Sequence, residues 1–219
     1  MTQENFTAIA VVLDRSGSMN AIRDDTIGGF NTFLAQQKEA EGDAVFTLAQ
    51  FDNEYEVVHD FVDINDVPEL DAKTFVPRGG TALLDGIGRT ITELGAKLDN
   101  MVEEDKPSSV VVVVLTDGEE NQSREYTRDQ IFEMITEQTE KYSWEFIFLG
   151  AGQDAIAVGQ SYGFAASKAA SYSIDSMVNT FASVSKNVAG YRATRSAGGS
   201  SAAASKSLDF SQEDRDEIS

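Results

Sequence analysis

The sequence predicts an α/β fold: a doubly wound, mostly parallel central sheet with one antiparallel edge strand and helices on both faces. Three observations carry that expectation. Apolar, β-rich runs alternate with segments whose apolar residues recur at steps of three and four. The run Val110–Leu115 is apolar without a break, as a strand buried on both faces requires. A turn-prone Asp52-Asn53 pair joins two strand-like runs, as in a hairpin, and places one half-exposed strand at the edge.

In chain order, Phe6–Leu13 reads as a buried strand, and Ile27, Phe30 and Leu34 mark a helix over about Asp24–Lys38. Ala44–Phe51 is the next strand, followed by the hairpin partner with Tyr55, Val57 and Phe61. Residues 60–75 are acidic and irregular, with room for one short helical turn, and Pro77-Arg78-Gly79-Gly80 breaks the chain. Leu83, Ile87, Ile91, Leu94, Leu98 and Val102 form one face of a long helix after Thr81. Thr127 and Gln130 form a capping-box pair that opens the helix after the Val110–Leu115 strand. Glu145–Leu149 reads as a strand, Asp154–Tyr162 as a short helix and Ala165–Ala170 as a last strand. Met177, Phe181, Val184, Val188 and Tyr191 mark the final helix. From Ser196 to Ser207 every residue but Lys206 is Ser, Ala or Gly, the composition of a flexible linker. The expected organisation is therefore a domain over 1–192 and, over 193–219, a flexible linker with an acidic tail.

Composition excludes several functions. At 219 residues with 41% hydrophobic and 9% aromatic side chains, the chain builds a core, so wholesale disorder is out. The absence of Cys removes disulfide scaffolds, thiolate zinc sites, iron–sulfur clusters and thiol catalysis. A single histidine, His59, cannot supply the two or three imidazoles of a His-rich metal site. Only oxygen ligands remain. A net charge of −20, from 17 Lys+Arg against 37 Asp+Glu, opposes nucleic acid and anionic membranes and favours basic partners. The first residues carry an acid and no basic region, and no apolar run is long enough to span a bilayer. The expected setting is soluble and cytoplasmic.

Open sheets of this class bind ligands at the carboxyl ends of their parallel strands. Three polar clusters fall there. Asp14, Ser16 and Ser18 follow the first strand as D-x-S-x-S, Thr81 sits in the Gly-Gly-Thr loop before a helix, and Asp117 follows the Val-rich strand. Two carboxylates and three hydroxyls form a hard-oxygen set suited to Mg²⁺ or Mn²⁺. Neutral hydroxyls leave such an ion electrophilic, so it seeks a further anionic oxygen from outside. Each cluster taken singly reads as an ordinary turn or cap: Asp14 over the Ser16-Gly17-Ser18 turn, Thr81 as an N-cap, Asp117-Gly118 as a turn. Their joint occurrence, in order and after the correct elements, favours a metal site.

The Asp14-Arg-Ser-Gly-Ser18 run, the Gly-Gly-Thr81 loop and the Leu-Thr-Asp117-Gly step resemble the metal-ion-dependent adhesion site (MIDAS) of von Willebrand factor A (VWA) domains. The resemblance covers about Thr7 to Tyr191, and its Gly-Gly-Thr phrase is most similar to stand-alone bacterial and phage members. It implies Ser16 and Ser18 as direct ligands, Thr81 as direct or water-mediated, and Asp14 and Asp117 acting mainly through water. It further implies a protein partner that supplies an Asp or Glu to the metal, with AAA+ ATPases or multi-subunit complexes as loosely expected partners.

Rival signals exist. Gly150-Ala-Gly152-Gln-Asp-Ala155 matches G-x-G-x-x-A after a strand, but it comes late in the chain and Asp154 would oppose a pyrophosphate. A phosphotransfer role for Asp14 would want a second acid where Ser16 stands. Glu119, Glu120 and Asn121 rim the Asp117 loop and read as a solvated loop, and His59 reads as a solvated edge residue. The chain therefore reads as a binding module that is not an enzyme. The alternatives are a Mg²⁺-dependent hydrolase or phosphatase-like enzyme, a dinucleotide-binding enzyme, or a structural subunit.

Overall fold

The computed structural model describes residues 3–151 and 154–219. Six strands form one sheet: β1 (Gln3–Asp14), β2 (Asp43–Phe51), β3 (Tyr55–Asp63), β4 (Pro107–Thr116), β5 (Glu145–Ala151) and β6 (Ala169–Tyr172). Their order is β3-β2-β1-β4-β5-β6, all parallel except β3, which pairs antiparallel with β2 at the edge. The expected sheet is the observed one. Because the chain winds outward from β1 to β3 and then returns to wind outward from β4 to β6, the sheet reverses direction between β1 and β4. That junction is the place where a crevice opens at the strand ends.

Alternation along the central strands divides the interior in two. Ile9, Val11 and Leu13 of β1, with Val111, Val113 and Leu115 of β4, face a core completed by α1 (Arg23–Glu39) and α5 (Met177–Ser196). Ala8, Ala10 and Val12, with Val110, Val112 and Val114, face a second core under α2 (Leu83–Asn100), α3 (Arg128–Tyr142) and α4 (Ala155–Ser161). Burial on both faces explains why these strands read as unbroken apolar runs. In the first core Phe181 of α5 meets Phe30 edge-on and Phe33 at a tilt, with ring centroids 6.3 and 6.4 Å apart.

The Thr127–Gln130 capping box forms as expected. Two boundaries differ from the sequence reading. Helix α2 ends at Asn100, leaving Val102 58% exposed, because the chain turns at Met101. The last strand begins at Ala169, after a 3-10 turn over Ala166–Lys168, where pairing with β5 starts.

The largest correction concerns residues 193–219. They are not an unpacked linker and tail: α5 runs to Ser196, and α6 (Ser201–Ser205) and α7 (Gln212–Ile218) fold back onto α5 and β6. Ala204, Leu208, Phe210 and Ile218 are buried in the first core. Each large apolar side chain among them contributes roughly 1.5–3 kcal/mol of burial, which composition read residue by residue does not register.

Phe181→Ala is expected to lower stability by roughly 3–5 kcal/mol, since the ring is 2% exposed and its removal leaves a cavity between α1 and α5; the shift in urea midpoint measures it.

Candidate metal centre

Asp14 is the last residue of β1 and Asp117 the first beyond β4, so the two acids flank the reversal point of the sheet. Asp14 is fully buried. Its Oδ1 accepts the Ser16 N–H at 2.6 Å and its Oδ2 accepts the Thr116 hydroxyl at 2.6 Å. Ser16 Oγ lies 3.0 Å from Ser18 Oγ, and Ser18 Oγ donates to Asp117 Oδ1 at 2.7 Å. A Cβ at position 118 would lie 3.1 Å from Thr81 Oγ1 and 3.8 Å from Ser18 Oγ, so glycine there lets the Thr81 loop close against Asp117. All five expected residues thus converge on one spot. The turn reading of Asp14 is also realised, because its carboxylate does cap the Ser16 turn.

Thr81 does not act as an N-cap. The cap position of α2 is Ala82, without a side-chain cap bond. The first amides of α2 are instead satisfied from the β4–α3 loop: Glu120 Oε2 accepts the Leu84 N–H at 3.0 Å and Ser123 Oγ accepts that of Asp85 at 3.1 Å. The Asp85 carboxylate returns the contact, accepting the N–H groups of Arg124, Glu125 and Tyr126. Asn121 Oδ1 accepts the Thr81 N–H at 3.0 Å, and the Asn121 N–H donates to the Thr81 carbonyl at 3.0 Å. Glu120 and Asn121 are therefore structural partners of the Thr81 loop, although Asn121, like Glu119, is exposed and Glu120 is half-buried. Thr81 is itself 3% exposed, yet its hydroxyl makes no hydrogen bond to any described residue.

Three loops are bolted together beneath this hydroxyl cluster. Arg15 donates to Asp52 Oδ2 at 2.9 Å, and Arg78 donates to the same oxygen at 2.8 Å. The Asp52 N–H to Glu54 carbonyl, Ala82 N–H to Asp52 carbonyl and Arg78 N–H to Arg15 carbonyl bonds add backbone ties. Burial pushes the Asp52 carboxyl up, but the bonds from Arg78 and the Glu54 N–H and the two guanidinium charges outweigh it and hold it below the usual range. Gly79, at φ 67°, gives its carbonyl to the Gly17 N–H at 3.1 Å and so joins the Thr81 loop to the Ser16–Ser18 turn. From sequence, Asp52 reads only as part of a turn and Asn121 only as part of a solvated rim, and Arg15 and Thr116 only as neighbours of expected ligands; the contacts that make them matter are tertiary.

Burial raises the Asp14 carboxyl to about 6, against the bonds from Thr116 and Ser16, with the Asp117 charge adding a little; burial raises Asp117 as well. Neither acid has a basic partner among the hydrogen bonds around it. Two carboxylates, three hydroxyls and no counter-charge fit a small hard cation. Among the described residues no group of three or more His, Cys, Asp or Glu side chains could hold a metal, so a site here has to rest on hydroxyls.

Of the rivals, the Gly150 pattern falls partly on residues 152 and 153, outside the described residues. Asp154 Oδ1 accepts the Ala157 N–H at 3.1 Å and so occupies the α4 N-terminus that a phosphate would need. His59 lies half-buried within β3, opposite Leu48.

No protein-family model and no curated protein matches this chain. Among solved structures, the chain is similar to proximal thread matrix protein 1 from the mussel byssus with a zinc-occupied MIDAS motif. The TM-score is 0.58 at 15% identity, over 82% of this chain and 47% of that one. A von Willebrand factor type A structure from Catenulispora acidiphila gives 0.50 at 15% identity, over 92% of this chain and 42% of that one. The ArnB paralog VWA2 from Sulfolobus acidocaldarius gives 0.50 at 16% identity, over 84% and 46%. The chain thus spans about half the length of these structures. The sheet order, the antiparallel edge strand and these likenesses define the fold: it is that of VWA domains.

Two measurements test the energetics of this region. An acid whose pKa rises on folding favours the folded state while protonated, and that contribution is lost as pH rises through the folded value, here about 6. In EDTA, Asp14→Asn is therefore expected to gain roughly 1 kcal/mol of stability relative to wild type between pH 5 and pH 7, part of a full gain of about 3 kcal/mol that begins in the ordinary carboxylate range; urea titrations at both pH values would show a constant difference if Asp14 were not strained. Asp52→Ala is expected to cost about 1.5–3 kcal/mol, because it removes the carboxylate that Arg15 and Arg78 share and leaves the buried Arg15 guanidinium only its bond to Glu56, and thermal melting would report it.

Proposed function

We propose that this chain is a metal-dependent protein-interaction module that is not an enzyme. In this reading Ser16, Ser18 and Thr81 hold one Mg²⁺ or Mn²⁺, with Asp14 and Asp117 supplying negative charge, and a partner's Asp or Glu completes the coordination. The observation that carries it is the Thr81 hydroxyl, held beside Ser18 and Asp117 without a protein hydrogen bond of its own. Asp14 has both oxygens engaged by Ser16 and Thr116, so its charge acts from behind the hydroxyls rather than as a bare ligand. The metal would supply a Lewis-acidic anchor for the partner's carboxylate. The zinc-occupied MIDAS of the mussel protein supports metal occupancy in this fold.

The partner is a protein, with an AAA+ ATPase or another complex subunit as the class that the resemblance suggests, and the setting is cytoplasmic. Nucleic acid and membrane are not partners in this reading: the −20 charge opposes both, and among the described residues no helix is long and apolar enough to cross a membrane. An enzymatic reading lacks support from the one histidine, which sits within β3.

Titration calorimetry with Mg²⁺ and Mn²⁺ is expected to give weak one-site binding to wild type and none to Asp14→Ala or Thr81→Ala, since magnesium gives up its water reluctantly. Pull-downs from the native host should then lose the partner on EDTA treatment and in Asp14→Ala. Equal heats in all three proteins would remove the metal, and a partner retained in EDTA would leave a structural subunit.

A further inference from the structure

We propose that the cavity between the C-terminal ends of α2 and α3 is a separate binding site, which takes a basic peptide segment by an Arg or Lys side chain. The cavity measures about 430 Å³ and lies where β4 begins, against Pro107, Ser109 and Val110. Asp117 follows the other end of that 10-residue strand, so this site and the hydroxyl cluster are roughly 30 Å apart. One sheet thus presents two sites, at opposite ends of its strands.

The charges around the cavity favour a cation. Helices α2 and α3 both end here, and the C-terminus of a helix carries partial negative charge. The Asp99 carboxylate in the last turn of α2 pairs with no described residue. Glu103 meets Lys106, the one cation of the lining, at 3.3 Å, while Glu104 and Asp105 extend the same acidic stretch and are exposed. Tyr142 at the end of α3 is 59% exposed, and an aromatic ring attracts a guanidinium or ammonium group.

Two further groups call for a peptide rather than a bare cation. Trp144 is 4% exposed, yet its indole N–H bonds to no described residue and is not shut off from solvent, so it opens on the cavity. A buried indole donor ordinarily has an acceptor, and here a ligand has to bring it. The half-buried Gln138 side chain also bonds to no described residue, and it offers a donor and an acceptor side by side, as a peptide group does. A polyamine has no acceptor for Trp144, whereas a peptide carbonyl is one.

Gly95 keeps the α2 wall of the cavity open. Glycine weakens a helix interior, and a side chain at this position would meet nothing within 4 Å. Packing does not require glycine here; its missing side chain is room for a ligand.

Trp144 is the only tryptophan of the chain, so its emission reports on the cavity directly. The probe is acetyl-Leu-Arg-Leu-amide, titrated into the full chain with emission and heat read together. Every titration contains EDTA, which makes the outcome independent of the metal reading. Saturable binding below about 1 mM is expected, with acetyl-Leu-Glu-Leu-amide and spermidine each about tenfold weaker or more. The paired change Asp99→Asn with Glu103→Gln, and separately Gly95→Leu, are each expected to weaken the Arg peptide by about tenfold. Both variants should melt no lower than wild type, since the two acids are exposed and position 95 has space. The proposal is overturned if the Arg peptide gives neither heat nor emission change, if the Glu peptide binds equally, or if neither variant weakens binding. Spermidine bound as tightly as the Arg peptide would overturn the peptide assignment.

Discussion

Asp14 ends the central strand inside the protein, with one carboxylate oxygen on the Ser16 N–H and the other on the Thr116 hydroxyl. A buried acid without a basic partner is unfavourable at neutral pH, and the rest of the strand-end architecture is arranged around it. The Ser16–Ser18 turn wraps over one oxygen. Strand β4 brings Thr116 under the other and places Asp117 one residue further on. The reversal of sheet order between β1 and β4 puts these two strand ends side by side, with no crossover to cover the space above them.

Orientation of the hydroxyls depends on a second layer that carries no expected ligand. Arg15 and Arg78 converge on one oxygen of Asp52, and backbone bonds join the same three loops. On the other side, Glu120, Asn121 and Ser123 satisfy the start of α2 and the Thr81 backbone from the β4–α3 loop. Capping α2 from outside is what leaves the Thr81 hydroxyl uncommitted. The usual N-cap role of a threonine and the proposed ligand role compete for the same oxygen, and in this loop the cap role is not taken up.

The C-terminal residues follow a different logic. Their Ser/Ala/Gly run has little intrinsic reason to pack, yet a few apolar anchors at the right intervals dock them on α5 and β6. The docked segment also covers the outer edge of β6, with Arg215 donating to the Ala169 carbonyl.

Local pattern determined the strands, the helices, the antiparallel edge and the five oxygen residues, because hydrophobic period, breakers and hydroxyl or carboxylate identity are properties of neighbouring residues. Asp14, Ser16, Ser18 and Asp117 were legible since each follows a strand directly, and Thr81 since a glycine pair precedes a helix. Tertiary structure decided the rest. Which oxygen of Asp14 meets Thr116, whether Thr81 caps α2, which acid answers Arg15, and whether residues beyond 192 pack are questions about partners far apart in the chain: Arg15 and Asp52 are 37 residues apart, and Thr116 and Asp14 are 102. Composition and period carry no information across such distances; only the closed sheet brings those groups within hydrogen-bond reach.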